Sequence, residues 1–115
     1  MIKHTSDMKL ELRKEARGGN GTAEFRHLFE DGEYKSKTKV MAKITLNPGC
    51  SIGYHQHSGE EEVYYILSGK FVVNDNGKES EVLAGDYVLT TNEGSHSVEN
   101  RSDEPAELLA FVIPY

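Results

Sequence analysis

An all-β fold, a sandwich or barrel of short strands, is predicted for this chain of 115 residues. Three observations carry the prediction. From residue 22 onward, apolar and polar residues alternate with a period of two, the pattern of half-buried strands. Turn residues interrupt that alternation at close, regular spacing, as all-β sandwiches and barrels require. No strand pattern is followed by a helical pattern of about 10–15 residues, which excludes an alternating α/β sheet.

The elements follow in order. Residues 7–17 are ambiguous: Met8, Leu10 and Leu12 alternate like an edge strand, while the composition suits a short helix. Residues 17–21, with glycines at 18, 19 and 21, form a loop and read as a flexible turn rather than an anion cradle, because no helix start follows. Residues 24–29 place Phe25, His27 and Phe29 on one face of a strand. Residues 38–46 give the cleanest strand, with Val40, Ala42, Ile44 and Leu46 on one side, and Asn47-Pro48-Gly49 ends it. Residues 61–67 and 70–74 are strands separated by Ser68-Gly69. Asp75-Asn76-Gly77 is a hairpin turn, since Asn-Gly tolerates positive φ. Residues 81–83, 87–91, 95–100 and 106–113 complete the set.

Composition narrows the function classes. Thirteen Lys and Arg against nineteen Asp and Glu give a net charge of −6, the wrong sign for a nucleic-acid binder. Lys35, Lys37, Lys39 and Lys43 read as a solvated face. With 37% hydrophobic and 28% charged residues, the chain is globular and of a size for one domain, residues 1–115. No apolar run approaches the ~20 residues of a membrane helix, and Met1–Leu12 has no apolar signal-peptide core, so a cytoplasmic protein without membrane contact is expected. The single Cys50 excludes an internal disulfide.

The chemistry lies in residues 49–69. His55 and His57 are two apart, so on a strand both imidazoles point to one side. Glu62 follows at an odd interval, but a bend at Ser58-Gly59 resets the phase and places it on the next strand with Tyr64 and Ile66. His96 alternates with Val98 and faces inward by the same parity. Three imidazoles and one carboxylate form a mixed N/O shell suited to a divalent transition metal ion, Mn, Fe, Ni, Zn or Cu, better than Mg or Ca. Four protein ligands on a six-coordinate ion leave two positions for water or substrate. Taken singly, an inward His is a core residue and Glu60-Glu61-Glu62 a solvated turn; it is the combination that points to a metal. No second inward carboxylate is evident near the motif, which leaves a general acid or base unassigned.

Gly49-x5-His55-x-His57-x4-Glu62-x6-Gly69 resembles the first signature of the cupin superfamily, and Gly85-x10-His96-x3-Asn100 resembles the second. The segment 70–84 separates them, the short spacing of small single-domain cupins of the conserved-barrel type. The second motif departs from the family pattern: Thr91 and Glu93 stand where Pro and Gly are usual, and Gly94 comes one place later. A turn of different shape before His96 is expected. The resemblance implies a double-stranded β-helix (a jelly-roll barrel), a metal held by His55, His57, Glu62 and His96, and a homodimer sharing edge strands such as residues 7–12. The superfamily spans enzymes and binding modules, so the fold alone does not assign function.

Other motifs are weaker. Gly49-Cys50-Ser51-Ile52-Gly53 matches G-x-S-x-G, but a strand rather than a helix follows, and the glycines read as turn residues before the metal strand. Cys50 reads as a small packed hydrophobe. Tyr54, Tyr64, Tyr65 and Tyr87 read as core and rim aromatics. His27 reads as packing beside Phe25 and Phe29, with a pocket role the alternative, and Gln56 faces outward. Two functional readings stand: a metal-dependent enzyme on a small polar or anionic molecule (oxygenase, decarboxylase or isomerase type), which is favoured, and a non-catalytic binding or sensing module whose ion orients the ligand.

Overall fold

The computed structural model describes residues 1–115. Ten strands form: β1 (Lys9–Lys14), β2 (Thr22–His27), β3 (Val40–Leu46), β4 (Ser51–Gln56), β5 (Glu60–Ser68), β6 (Lys70–Asp75), β7 (Lys78–Leu83), β8 (Tyr87–Thr90), β9 (Ser95–Glu99) and β10 (Ala106–Pro114). They pair into a six-stranded sheet, β1-β2-β3-β10-β5-β8, and a four-stranded sheet, β4-β9-β6-β7. Every pairing is antiparallel. The fold is the predicted double-stranded β-helix. No helix is long and apolar enough to cross a membrane.

Period-two alternation decides which side chains meet between the sheets. Ala42, Ile44 and Leu46 of β3, Tyr64 and Ile66 of β5, and Leu108 and Ala110 of β10 line one inner face; Ile52, Phe71, Val73 and Val98 line the other. Burying each large aliphatic side chain contributes about 1.5–3 kcal/mol. The Asn76-Gly77 hairpin forms as expected, with φ of +52° and +95°. Asn100 is fully buried and ties the turn before β10 to β3: its amide donates to the carbonyls of Leu46 (2.8 Å) and Glu104 (2.7 Å).

Several local expectations shift. The ambiguous residues 7–17 resolve as β1, an edge strand paired with β2, followed by a single tight turn over Ala16–Gly18. That turn packs directly against β4. The strand read over 24–29 ends at His27, and Phe29 is exposed and packs at a tilt against Tyr34 instead of extending the core. The strand read from residue 38 begins at Val40, and the Tyr34 hydroxyl donates to the Thr38 carbonyl just before it.

Candidate metal centre

Strand β4 carries the irregularity that builds the site. Ile52 pairs with Val98 and His55 with His96, so three steps on β4 span two on β9. This bulge puts Ile52 and His55 on the same inner side, where strict alternation would oppose them. Gly53 lies inside the bulge and is not the turn residue its sequence context suggests. A Cβ there would stand 2.1 Å from the Arg17 carbonyl oxygen, and one on Gly19 would stand 2.3 Å from that of Ser51. Two absent side chains thus let the 16–19 turn lie flat on β4 and fix Arg17 beside the site. Gly53→Ala is expected to lower stability by about 2–3 kcal/mol through this backbone clash. Thermal melting checks it; an unchanged midpoint would contradict the close approach.

The structure brings His55, His57, Glu62 and His96 together, with one donor atom from each within 4.8 Å of all the others. His57 Nε2 lies 3.0 Å from His55 Nε2, 3.1 Å from His96 Nε2 and 2.9 Å from Glu62 Oε1, and Glu62 Oε1 is 3.0 Å from His96 Nε2. Glu62, His57 and His96 are buried. His96 also stacks on Tyr64, ring centres 4.8 Å apart.

Hydrogen bonds on the far side of each ring assign the protons. His55 Nδ1 donates to the Gly53 carbonyl at 2.6 Å, and His57 Nδ1 donates to Glu60 Oε1 at 3.0 Å. His96 Nδ1 sits 2.7 Å from the Thr90 hydroxyl, which is able to accept from it and so permits the same tautomer. In the neutral rings, each Nε2 is then a bare lone pair, and lone pairs 3 Å apart repel rather than bond. Glu62 Oε1 satisfies no hydrogen-bond geometry despite its two close nitrogens. Donors that converge without bonding one another fit a cation at their common focus. Two donors at right angles on an ion with ~2.1 Å bonds stand about 3.0 Å apart, and tetrahedral donors about 3.4 Å. The observed 2.9–3.1 Å spacings fit the six-coordinate case.

Without a cation, protons on the imidazoles supply the positive charge at this focus. Burial pushes the Glu62 carboxyl up, but the imidazoles of His57 and His96 outweigh it and hold it at about 2. The same carboxylate raises His57 above its ordinary value against the effect of burial, with help from Glu60. Burial lowers His55, partly opposed by its bond to Gly53. Burial raises the Tyr64 phenol well above its ordinary value, so its hydroxyl stays protonated.

Above the four donors opens a cavity of about 310 Å³. Its wall includes Arg13, Arg17, Lys39 and Glu60; sequence alone puts Lys39 on a solvated face and Glu60 in a solvated turn, and does not single out the two arginines. Glu60 corrects the expectation that no second carboxylate turns inward: it shares the face of Glu62, two residues on, and bridges His57 and Lys39 (2.9 Å). Parity alone would have revealed it. The two arginines could not be found that way, because β1 and the 16–19 turn reach the site only through tertiary packing. His27 pairs with Glu11 at 2.7 Å in a neighbouring groove and does not line the cavity. Arg13, followed by His27, pulls the Glu11 carboxyl down to about 2. Cys50 packs against the core, and Ser51 Oγ accepts from the Asn20 amide at 2.9 Å, so the G-x-S-x-G match holds no nucleophile. Of the four tyrosines, only Tyr64 is in the core; Tyr54, Tyr65 and Tyr87 are exposed and away from the cavity. Before His96, Asn92 and Glu93 both take positive φ, +55° and +60°. The Glu93 carboxylate holds that turn by accepting from the Gly59 amide and the Tyr115 hydroxyl, each at 3.0 Å.

The family model for the cupin domain matches residues 42–112. The chain is 40% identical over 113 residues to the "oxalate-binding protein" of Thermotoga maritima, covering 98% of this chain and 93% of that protein. It is 33% identical over 79 residues to the oxalate decarboxylase of Bacillus subtilis, covering 64% of this chain but 20% of that enzyme. The crystal structure of a predicted oxalate decarboxylase from Thermotoga maritima superposes with a TM-score of 0.94 at 39% identity, each chain covered in full. The polyketide cyclase RemF of Streptomyces resistomycificus, at 21% identity and a TM-score of 0.80, shares the fold alone. Signature spacing, barrel and relatives agree: this chain belongs to the cupin family.

Proposed function

We propose that residues 1–115 act as one metal-dependent cupin domain that binds a small carboxylate anion of the oxalate class. The observation that carries the reading is the pairing of a converging shell of three imidazoles and one carboxylate with Arg17, a cavity cation that no carboxylate neutralises. Arg13 and Lys39 are each held by one, Glu11 and Glu60. His55, His57, Glu62 and His96 would hold a divalent transition metal, Mn, Fe, Ni, Zn or Cu. Such an ion supplies Lewis acidity and open positions for two carboxylate oxygens. Arg17 supplies a guanidinium fork for the remaining oxygens. The Thermotoga relative's name fits this anion class.

Calorimetric titration of oxalate into metal-loaded protein tests the reading. Arg17→Gln is expected to weaken binding about 10- to 100-fold, the value of a hydrogen bond to a charged group. No binding of oxalate or of a related small oxo acid with any of the five metals would reject it. A second reading, turnover of the bound anion, draws on Glu60. His57 and Lys39 keep it ionised against the effect of burial, so it would accept a proton rather than give one. Product formation from oxalate or a related acid, lost in Glu60→Gln, would favour that reading.

A homodimer accompanies this proposal. The outer face of the six-stranded sheet carries Tyr65, Leu67, Tyr87, Leu89 and Ile113, each 41–66% exposed. Leu109 faces Tyr65, and Val63 faces both Phe111 and Leu89, so the patch is continuous. It amounts to on the order of 600 Å², at the limit of what monomers expose and near the ~800 Å² that one partner buries in a stable dimer. A second copy is the occupant whose surface matches it in area and apolarity. Light scattering is expected to give twice the chain mass, and Tyr65→Lys the chain mass; a wild-type monomer at all concentrations would refute it.

A further inference from the structure

We infer that the natural ligand is a monocarboxylate with an adjacent oxygen and an apolar body of several carbons, rather than a two-carbon diacid. The inference rests on the anion-binding reading above and deepens it. The cavity of about 310 Å³ has room for about ten water-sized groups. A two-carbon diacid has six non-hydrogen atoms, four of them oxygen, and leaves much of that space empty.

Half of the fourteen residues that line the cavity are apolar. Val40 and Val112 are cross-strand partners, and Val112 also faces Glu62, so an aliphatic wall begins beside the metal ligands. Phe25 and Ile44 form a second cross-strand pair, four residues further along β3, or about 13 Å. Ile52 closes the opposite side from β4, and all five line the cavity. Water against such a wall is readily displaced by hydrocarbon.

The charges point the same way. Glu11 engages Arg13 through two bonds, 2.9 and 3.1 Å, and holds its guanidinium 4.0 Å over the Phe25 ring. Glu60 engages Lys39 at 2.9 Å. Arg17 is the remaining free cation, enough for one carboxylate. A second carboxylate reaching towards Phe25 would meet only Arg13, which Glu11 already neutralises, and would otherwise lie desolvated against Val40, Ile44 and Val112, which is costly. A carboxylate with a carbonyl or hydroxyl oxygen on the adjacent carbon offers the same pair of neighbouring oxygens as oxalate, one on each of two bonded carbons, and leaves its tail for the apolar wall.

The test is calorimetry on metal-loaded protein with oxalate and the series pyruvate, 2-oxobutyrate, 2-oxopentanoate and 2-oxohexanoate. Affinity is expected to rise about threefold to fourfold per methylene, or about thirtyfold or more across the series. Within the Val40→Phe variant, which fills the wall, the ratio between 2-oxohexanoate and pyruvate is expected to collapse towards one. That ratio is read inside one variant and does not depend on its overall stability. If oxalate binds and the series shows no gain with length, this inference falls and the anion-binding reading stands. If neither oxalate nor any oxo acid binds, both fall.

Discussion

Loss of any one of the four converging side chains is expected to abolish stoichiometric metal binding. His55→Ala, His57→Ala, His96→Ala and Glu62→Gln should each weaken affinity by at least about a hundredfold, more than removal of an outer partner of a ligand costs. His4→Ala, near the start of the chain, should leave it unchanged. Glu62→Gln is the sharpest case: volume is conserved and only the charge that balances the ion is lost. His55→Ala is the mildest for the fold, because its ring is only half-buried, whereas His96→Ala also removes a ring stacked on Tyr64. Stability should follow content, because an ion bound only by the folded chain stabilises it by about 2.7 kcal/mol at a hundred times its Kd. Elemental analysis of protein prepared without chelator, set beside melting curves, gives the answer. Equal metal content in all five variants would overturn the assignment.

The second large effect concerns pH. Ligation needs neutral imidazoles, and protons compete for the same nitrogens. In the metal-free protein, Glu62 and Glu60 raise His57 above its ordinary value, so competition begins there, above pH ~6.5, before His55 joins at lower pH. Bound metal depresses the histidines instead. The metal-linked stability is therefore present above the unfolded-state value of about 6.5 and lost as pH falls below it. The chelated protein has the opposite sign at His57: its raised value stabilises fully below about 6.5 and fades as pH rises through that raised value. The two melting curves should thus converge on acidification from both sides. Measured with and without chelator at about pH 7.5 and 5.5, the gap in midpoint should shrink markedly. A gap of constant size would show that the ion is not held by these rings.

The strand-rich fold, the order of most strands and the four converging side chains could all be read along the chain. They were readable because the period of two in a strand is local: Val40 to Leu46, His55 with His57, and His96 with Val98 each reveal a face without knowledge of any partner. The Asn76-Gly77 turn was legible for the same reason, since its φ angles depend on two residues. Other features exist only once distant segments have packed. The bulge at Gly53 is a mismatch between two strands far apart in the chain, and it alone puts Ile52 and His55 on one side. Arg13 and Arg17 reach the cavity because β1 pairs with β2 and because Gly19 and Gly53 let a turn press on β4. Glu60 lay between these cases: its face was readable from Glu62, but its work, holding the His57 proton and the Lys39 charge, needed two further elements in place. The four converging donor atoms follow from local alternation, whereas the cavity above them is made of contacts whose energies depend on distance in space and not on distance along the chain.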